Sequence, residues 1–269
     1  CFADTGFFGG DRGIMSLEVG KAAINFLLKH SGDRKKLEVD FFGGEPLLNF
    51  PLIRELVQYA KDQAPVFDKQ FRFTITTNGM LLNEEIIQFV NAEMDNVVLS
   101  IDGRKEINDA VRCRADGSGS YDAIVPKFQR LVRERGEKEY YARGTFTSHN
   151  LDFTNDVLQM AQLGFNQISI EPVSLPENSE LALKFSDLPR IREEYQKLSE
   201  VMLRRLGTDD SFNFFHFQVD LSQGPCVIKR LRGCGAGNEY LAITPEGDVY
   251  PCHQFVGKDP YKMGNVLSG

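Results

Sequence analysis

Two hydrophobic periods take turns along the first two thirds of this chain. β-rich runs occur at Leu37–Phe42, Phe71–Thr77, Asn96–Ile101, Tyr140–Thr147 and Gln167–Val173, where branched and aromatic residues dominate. Between them, apolar residues recur with the spacing of one helical face. Val19, Ala23, Phe26 and Leu27 follow Ser16, which is placed to cap a helix with Glu18 in its first turn. Ile53, Leu56, Val57 and Ala60 repeat the pattern, as do Ile86, Phe89 and Val90 behind the cap Asn83. Ile124, Phe128, Leu131 and Val132 share a face, although Pro126 is expected to kink or restart that helix. Thr154 opens a further helix through Val157, Met160 and Ala161, and Gly164 is placed to end it. A last helix is predicted from Leu188 to Leu206.

Strands alternating with helices imply right-handed βα units and a parallel sheet. The Gly-rich opening leads straight into a helix, so a first strand is expected upstream of it. The implied fold is α/β, a partial, open (β/α)6 barrel that lacks its first strand. Cys1 at the start and the uncapped Asn265–Gly269 at the end are read as cuts within a longer chain. The pattern changes near residue 210. Phe212–Phe217 is aromatic, Gly and Cys then become frequent, and residues 239–250 read as a β-hairpin around Pro245-Glu246-Gly247. Two domains follow from this, a barrel over 1–210 and the start of a Cys-containing extension over 211–269.

Composition narrows the class. With 42% hydrophobic residues in 269, a sizeable core is available and disorder is excluded as the main state. No apolar run is long enough to span a bilayer, so no membrane is expected and the setting is read as cytoplasmic. The net charge is −7, and the clusters Arg34-Lys35-Lys36 and Arg130 to Arg135 are short and mixed with acids, which argues against nucleic acid. Five cysteines, an odd number, argue against a secreted disulfide scaffold.

Parallel α/β sheets bind ligands at the carboxyl ends of their strands, and the polar residues gather there. One run ends Gly43-Gly44-Glu45-Pro46: the glycines allow a ligand close to the backbone and Glu45 can accept from an ammonium group, though a tight turn alone accounts for glycine. Another ends Thr76-Thr77-Asn78-Gly79. A third ends Ser100-Ile101-Asp102-Gly103, where a two-residue period aims Ser100 and Asp102 to one side. A hydroxyl and a carboxylate so spaced suit a ribose diol, and suit a capping turn equally well. Arg143 fits a carboxylate clamp, or an ordinary ion pair at the barrel mouth.

Asp40-Phe41-Phe42-Gly43-Gly44-Glu45-Pro46-Leu47-Leu48, followed by the Thr-Thr-Asn-Gly and Ser-Ile-Asp-Gly ends, resembles the radical S-adenosylmethionine superfamily. In that superfamily a C-x3-C-x2-C loop holds a [4Fe–4S] cluster, and Cys1 resembles its third cysteine. The resemblance implies that Gly43, Gly44 and Glu45 hold the amino group of S-adenosylmethionine, Ser100 and Asp102 its ribose, and Arg143 its carboxylate. A 5′-deoxyadenosyl radical would then take a substrate hydrogen.

The tail extends the likeness. Cys234, twelve residues, Gly247, four residues and Cys252 resemble the start of the SPASM extension, which carries auxiliary iron–sulfur clusters in peptide-modifying enzymes. Structural zinc on Cys234, Cys252, Cys226 and His253 is the rival. Cys113 reads as incidental, and Cys226 as either a ligand or a thiol near the substrate. Within the SPASM enzymes, Glu38–Leu47, Leu99–Glu106, Phe212–Phe217 and Tyr250–Phe255 resemble the maturases of cysteine-rich SCIFF peptides. That resemblance implies an oxidoreductase forming cysteine thioethers in a ribosomally made precursor peptide, with an electron donor such as ferredoxin or flavodoxin. A formylglycine-forming sulfatase maturase is the alternative, and a non-catalytic zinc- or peptide-binding module a third reading.

Overall fold

In a computed structural model, residues 13–218 and 233–269 are described. Cys1 and Cys226, both expected to bear on metal binding, lie outside the described residues. The fold is α/β. Strands β1 (Lys36–Phe41), β2 (Gln70–Thr77), β3 (Asn96–Ser100), β4 (Tyr140–Phe146), β5 (Gln167–Pro172) and β6 (Asn213–Phe214) form one open sheet in sequence order. Each pair from β2 to β6 is parallel.

The helices are α1 (Leu17–His30), α2 (Phe50–Gln63), α3 (Glu84–Glu93), α4 (Lys105–Val111), α5 (Tyr121–Arg135), α6 (Thr154–Gln162) and α7 (Leu188–Arg205). The expected caps close their helices. The Ser16 hydroxyl accepts from Val19 N–H at 3.2 Å, and the Asn83 carbonyl oxygen from Ile86 N–H at 2.9 Å. α5 runs unbroken through Pro126, so the helix does not restart there. Proline there removes one hydrogen bond of the ladder, while buried Ile124, Val125 and Phe128 hold the helix down on either side.

The chain divides into two compact units, one holding the described residues 74–218 and the other 13–73 with 233–269. In the first, Val97, Leu99, Ala142, Phe146, Ile168 and Ile170 are the buried positions of the central strands, and Phe146 stacks on Phe153 at 4.4 Å where α6 begins. Burying Phe146 and Phe153 contributes several kcal/mol, at about 1.5–3 kcal/mol per large apolar side chain. The sixth strand comes from Phe212–Phe217, which the sequence pattern had placed with the tail. Its two residues pair with Gln167 and Ile168 at the sheet edge. In the second unit, the hairpin β7 (Ala242–Ile243) and β8 (Asp248–Tyr250) forms as expected, with β9 (Gly264–Asn265) added antiparallel to β8.

Candidate active site

In the first unit, strand register builds one polar row. Ser100 pairs with Arg143 and Arg143 with Ser169, while Thr145 pairs with Glu171 one pleat further on. Neighbours in register project to the same face, and residues two apart return to it. The buried apolar residues occupy the alternate positions, so this row lies on the face opposite the core. Ser100, Thr145 and Glu171 are half-buried and Arg143 is exposed, while Ser169 is buried. Of the residues expected at the site, Ser100 and Arg143 are thus brought side by side.

Asp102 is placed differently from the expectation that it shares a side with Ser100. β3 ends at Ser100, so the two-residue period no longer governs Asp102. Its carboxylate is 2% exposed and grips the Arg112 guanidinium through two bonds, Nε to Oδ2 at 2.6 Å and Nη2 to Oδ1 at 3.0 Å. Oδ1 also accepts from Thr145 N–H at 2.9 Å. This geometry ties the β3 turn to β4. It demands glycine at position 144, where a Cβ would stand 2.5 Å from the Ile101 carbonyl oxygen and 2.9 Å from Asp102 Cα. Thr77 and Asn78, at the end of β2, accept from the N–H groups of Gly79 and Met80. Their side chains close that turn.

The row continues into a chain of four polar side chains that sequence reasoning missed. Ser169 Oγ donates to Glu171 Oε1 at 2.8 Å, and Glu171 Oε2 meets His216 Nε2 at 2.9 Å. His216 Nδ1 in turn meets the Tyr195 hydroxyl at 2.7 Å. Burial alone would raise the Glu171 carboxyl, but bonds from His216 and Ser169, with the charges of His216 and Arg143, hold it below the ordinary carboxylate range. Burial pushes the Tyr195 phenol up to about 12, helped by the Glu171 charge. The available signals were Glu171 inside an apolar strand run and His216 inside an aromatic one. Tyr141 and Phe215 meet edge to face at 5.8 Å beside this chain.

In the second unit, Gly43, Gly44 and Glu45 follow β1. Gly43 takes φ +144°, and among the described residues a Cβ at either glycine would meet nothing within 4 Å. No described residue fills the room beside Gly44, as a ligand-approached backbone needs. Glu45 Oε1 accepts from Leu47 N–H at 3.1 Å and caps the 3-10 turn that follows. Cys234 is exposed and Cys252 half-buried, both as free thiols. Cys252 Sγ accepts from Gln254 N–H at 3.4 Å, the contact that stabilises a metal-bound thiolate. His253 accompanies it, with Nδ1 3.1 Å from the Tyr240 hydroxyl and its ring 5.1 Å from that of Phe42. Burial, then the charges of Asp40 and Cys252, push the Tyr240 phenol up to about 12. Among the described residues, no group of three or more His, Cys, Asp or Glu is poised around a metal.

The model of the radical SAM superfamily matches residues 1–140, just over half of the sequence. The chain belongs to the radical SAM superfamily. The model of an iron–sulfur cluster-binding domain, SPASM, matches residues 234–268, which include Cys234 and Cys252. This superfamily member is 28% identical over 86% of its length to the mycofactocin maturase MftC of Mycolicibacterium smegmatis. It is 27% identical over 84% of its length to a cysteine-type anaerobic sulfatase-maturating enzyme of Clostridium novyi. The chain spans 55% and 61% of those two proteins. Native anSMEcpe with bound AdoMet shares the fold, with a TM-score of 0.75, 19% identity, and coverage of 96% of this chain and 70% of that one. The cofactors of the family are [4Fe–4S] clusters and S-adenosylmethionine. The thiols of Cys234 and Cys252 and the open backbone at Gly44 fit them. No helix among the described residues is long and apolar enough to cross a membrane.

Proposed function

We propose that this chain is the core of a peptide maturase that joins a cysteine sulfur to a carbon of another residue in a cysteine-rich, ribosomally made precursor. The carrying observation is the in-register pair Ser100 and Arg143 on the open face, a hydroxyl beside a guanidinium at successive strand ends. Ser100 would meet the ribose of S-adenosylmethionine, and Arg143 its carboxylate through a fork of N–H donors. Gly43 and Gly44 leave room for the amino group and Glu45 accepts from it. Asp102 acts on the ribose side through position: bound to Arg112 and Thr145, it fixes the turn that follows Ser100. Cys1 would serve the radical cluster, and Cys234 and Cys252 the auxiliary one. When bound, cluster and S-adenosylmethionine together supply a 5′-deoxyadenosyl radical. The protein's share is to hold the peptide at the polar row and exclude water. An electron donor such as ferredoxin or flavodoxin, in the cytoplasm, completes the system.

Formylglycine formation is the second reading, favoured by the similarity to the sulfatase-maturating enzyme. Mass separates the two. After anaerobic reconstitution, reduced full-length protein that carries the whole three-cysteine loop, given S-adenosylmethionine and cysteine-rich peptides, should yield a product lighter by two hydrogens, because S–H and C–H become S–C; residues 1–269 alone, with Cys1 only, should not. Exchange of sulfur for oxygen together with the loss of two hydrogens would establish formylglycine instead. Stoichiometric zinc with negligible iron in the reconstituted protein would overturn both.

A further inference from the structure

The polar row carries two opposite charges. Arg143 on β4 pairs with Ser169 on β5, and Glu171 lies two residues further along β5, on the same face. With strands about 4.8 Å apart and a rise of about 3.3 Å per residue, the Cα atoms of such diagonal neighbours are about 8 Å apart. Arginine and glutamate side chains reach across that gap. We propose that Glu171 is a positioning residue for Arg143: its carboxylate draws one edge of the guanidinium and turns the other edge toward the carboxylate of S-adenosylmethionine. This deepens the reading above and rests on its assignment of Arg143.

The two side chains differ in how firmly they are held. Arg143 is exposed, and its guanidinium makes no hydrogen bond or ion pair among the described residues. An arginine free on its stem must give up rotamer freedom to grip a ligand. Glu171 is fixed at both oxygens. Oε1 accepts from Ser169 Oγ at 2.8 Å, and Oε2 meets His216 Nε2 at 2.9 Å. His216 is steadied by the Tyr195 hydroxyl, 2.7 Å from its Nδ1, and its ring lies 5.3 Å from that of Phe214. The Tyr195 ring packs on Phe153 at 5.0 Å. Glu171 is therefore braced from the aromatic core, yet at 28% exposure it keeps acceptor capacity toward the open face.

The charges already act on each other. Burial raises the Glu171 carboxyl, the bonds from His216 and Ser169 lower it, and the charges of His216 and Arg143 lower it further. Coulomb attraction is mutual, so an ionised Glu171 pulls on the guanidinium as strongly as the guanidinium acts on it.

The order of the strands gives the direction. Ser100 lies on β3, Arg143 on β4 and Glu171 on β5, so Arg143 stands between the ribose contact of the reading above and the braced carboxylate. A planar guanidinium presents donors along more than one edge. With one edge drawn toward β5, another is left for a ligand on the Ser100 side. Repulsion between the carboxylates of Glu171 and the ligand opposes this arrangement, and the cation between them offsets it.

Calorimetric titration of the full-length, reconstituted protein tests the proposal. Glu171→Gln keeps the shape of the side chain and removes its charge. It should bind S-adenosylmethionine about 2- to 5-fold more weakly than the wild type, the share of an opposite-charge pair across two strands. Decarboxylated S-adenosylmethionine, in which hydrogen replaces the carboxylate, should bind Glu171→Gln and the wild type equally. In an Arg143→Ala background, Glu171→Gln should cost nothing further, because its effect runs through the missing side chain. An equal loss for both ligands would reveal a merely structural role, and unchanged or tighter binding of S-adenosylmethionine would mean that repulsion prevails; each overturns the proposal. If Arg143→Ala weakens binding and Glu171→Gln does not, the proposal alone fails. If Arg143→Ala binds like the wild type, the assignment of Arg143 fails and the proposal with it.

Discussion

Arg135→Met should destabilise the first unit by about 3 kcal/mol without touching the polar row. Arg135 ends α5 at 4% exposure and donates Nε to the Glu139 carbonyl at 2.8 Å. Its Nη2 reaches the carbonyls of Met94 at 2.9 Å and Asp95 at 2.7 Å, and Nη1 approaches that of Val90 at 3.4 Å. The cation thus closes the carboxyl end of α3 and the turn into β3, where helix carbonyls favour positive charge. Three short, charge-assisted bonds contribute roughly 1.5–3 kcal/mol each. Burial opposes them, pushing the guanidinium down to about 10, a depression equivalent to about 3 kcal/mol. The remainder is about 1–6 kcal/mol, centred near 3, and Met restores only apolar contact. Urea denaturation should show a lowered midpoint at unchanged slope. Arg135→Lys, which keeps the charge and offers fewer directed donors, should fall between. A loss below about 1 kcal/mol in Arg135→Met would mean that solvent already satisfies these carbonyls, refuting the burial argument.

Arg143→Ala, Ser100→Ala and Glu45→Ala should each weaken S-adenosylmethionine binding by about 1–3 kcal/mol, or about 5- to 150-fold, most for Arg143. Calorimetric titration with wild-type affinity in all three would mean that the ligand sits elsewhere. The phenols of Tyr195 and Tyr240 are pushed up to about 12, whereas an unfolded chain releases such protons near 10. Stability present below about pH 10 should therefore be lost as the pH climbs to about 12, and phenolate absorbance should show Tyr195 and Tyr240 titrating late, with burial pushing Tyr121, Tyr140 and Tyr141 upward as well; ionisation of all eight near 10 would refute it.

What the sequence made legible was local. α1 and α3 could be read from one capping side chain and a repeat of apolar residues, because both lie within a few residues of each other. β6 was not legible, since two residues carry no period and become a strand only by pairing with Gln167 and Ile168. α4, at seven residues, was too short for the same reason. Ser100 and Arg143 could be named from strand ends, yet their adjacency is a matter of register between strands some forty residues apart. Asp102 shows the limit most clearly. Its spacing from Ser100 promised a shared side, but the partner that claims its carboxylate, Arg112, sits ten residues on, and nothing in the strand pattern points to it. The Tyr195–His216–Glu171 chain draws one residue from each of three elements, and no linear motif contains it.

Gly144 leaves the strand between Arg143 and Thr145 with no freedom of its own. The atoms that would meet a side chain there belong to the backbone of Ile101 and Asp102, which cannot turn aside as a rotamer can. The flanking positions, 143 and 145, point to the open face and meet no such wall. A lineage altering this face can therefore keep only glycine at position 144, and change along this part of β4 has to pass through the positions beside it. The pleat of the sheet, a matter of geometry, becomes the grain along which the protein can diverge.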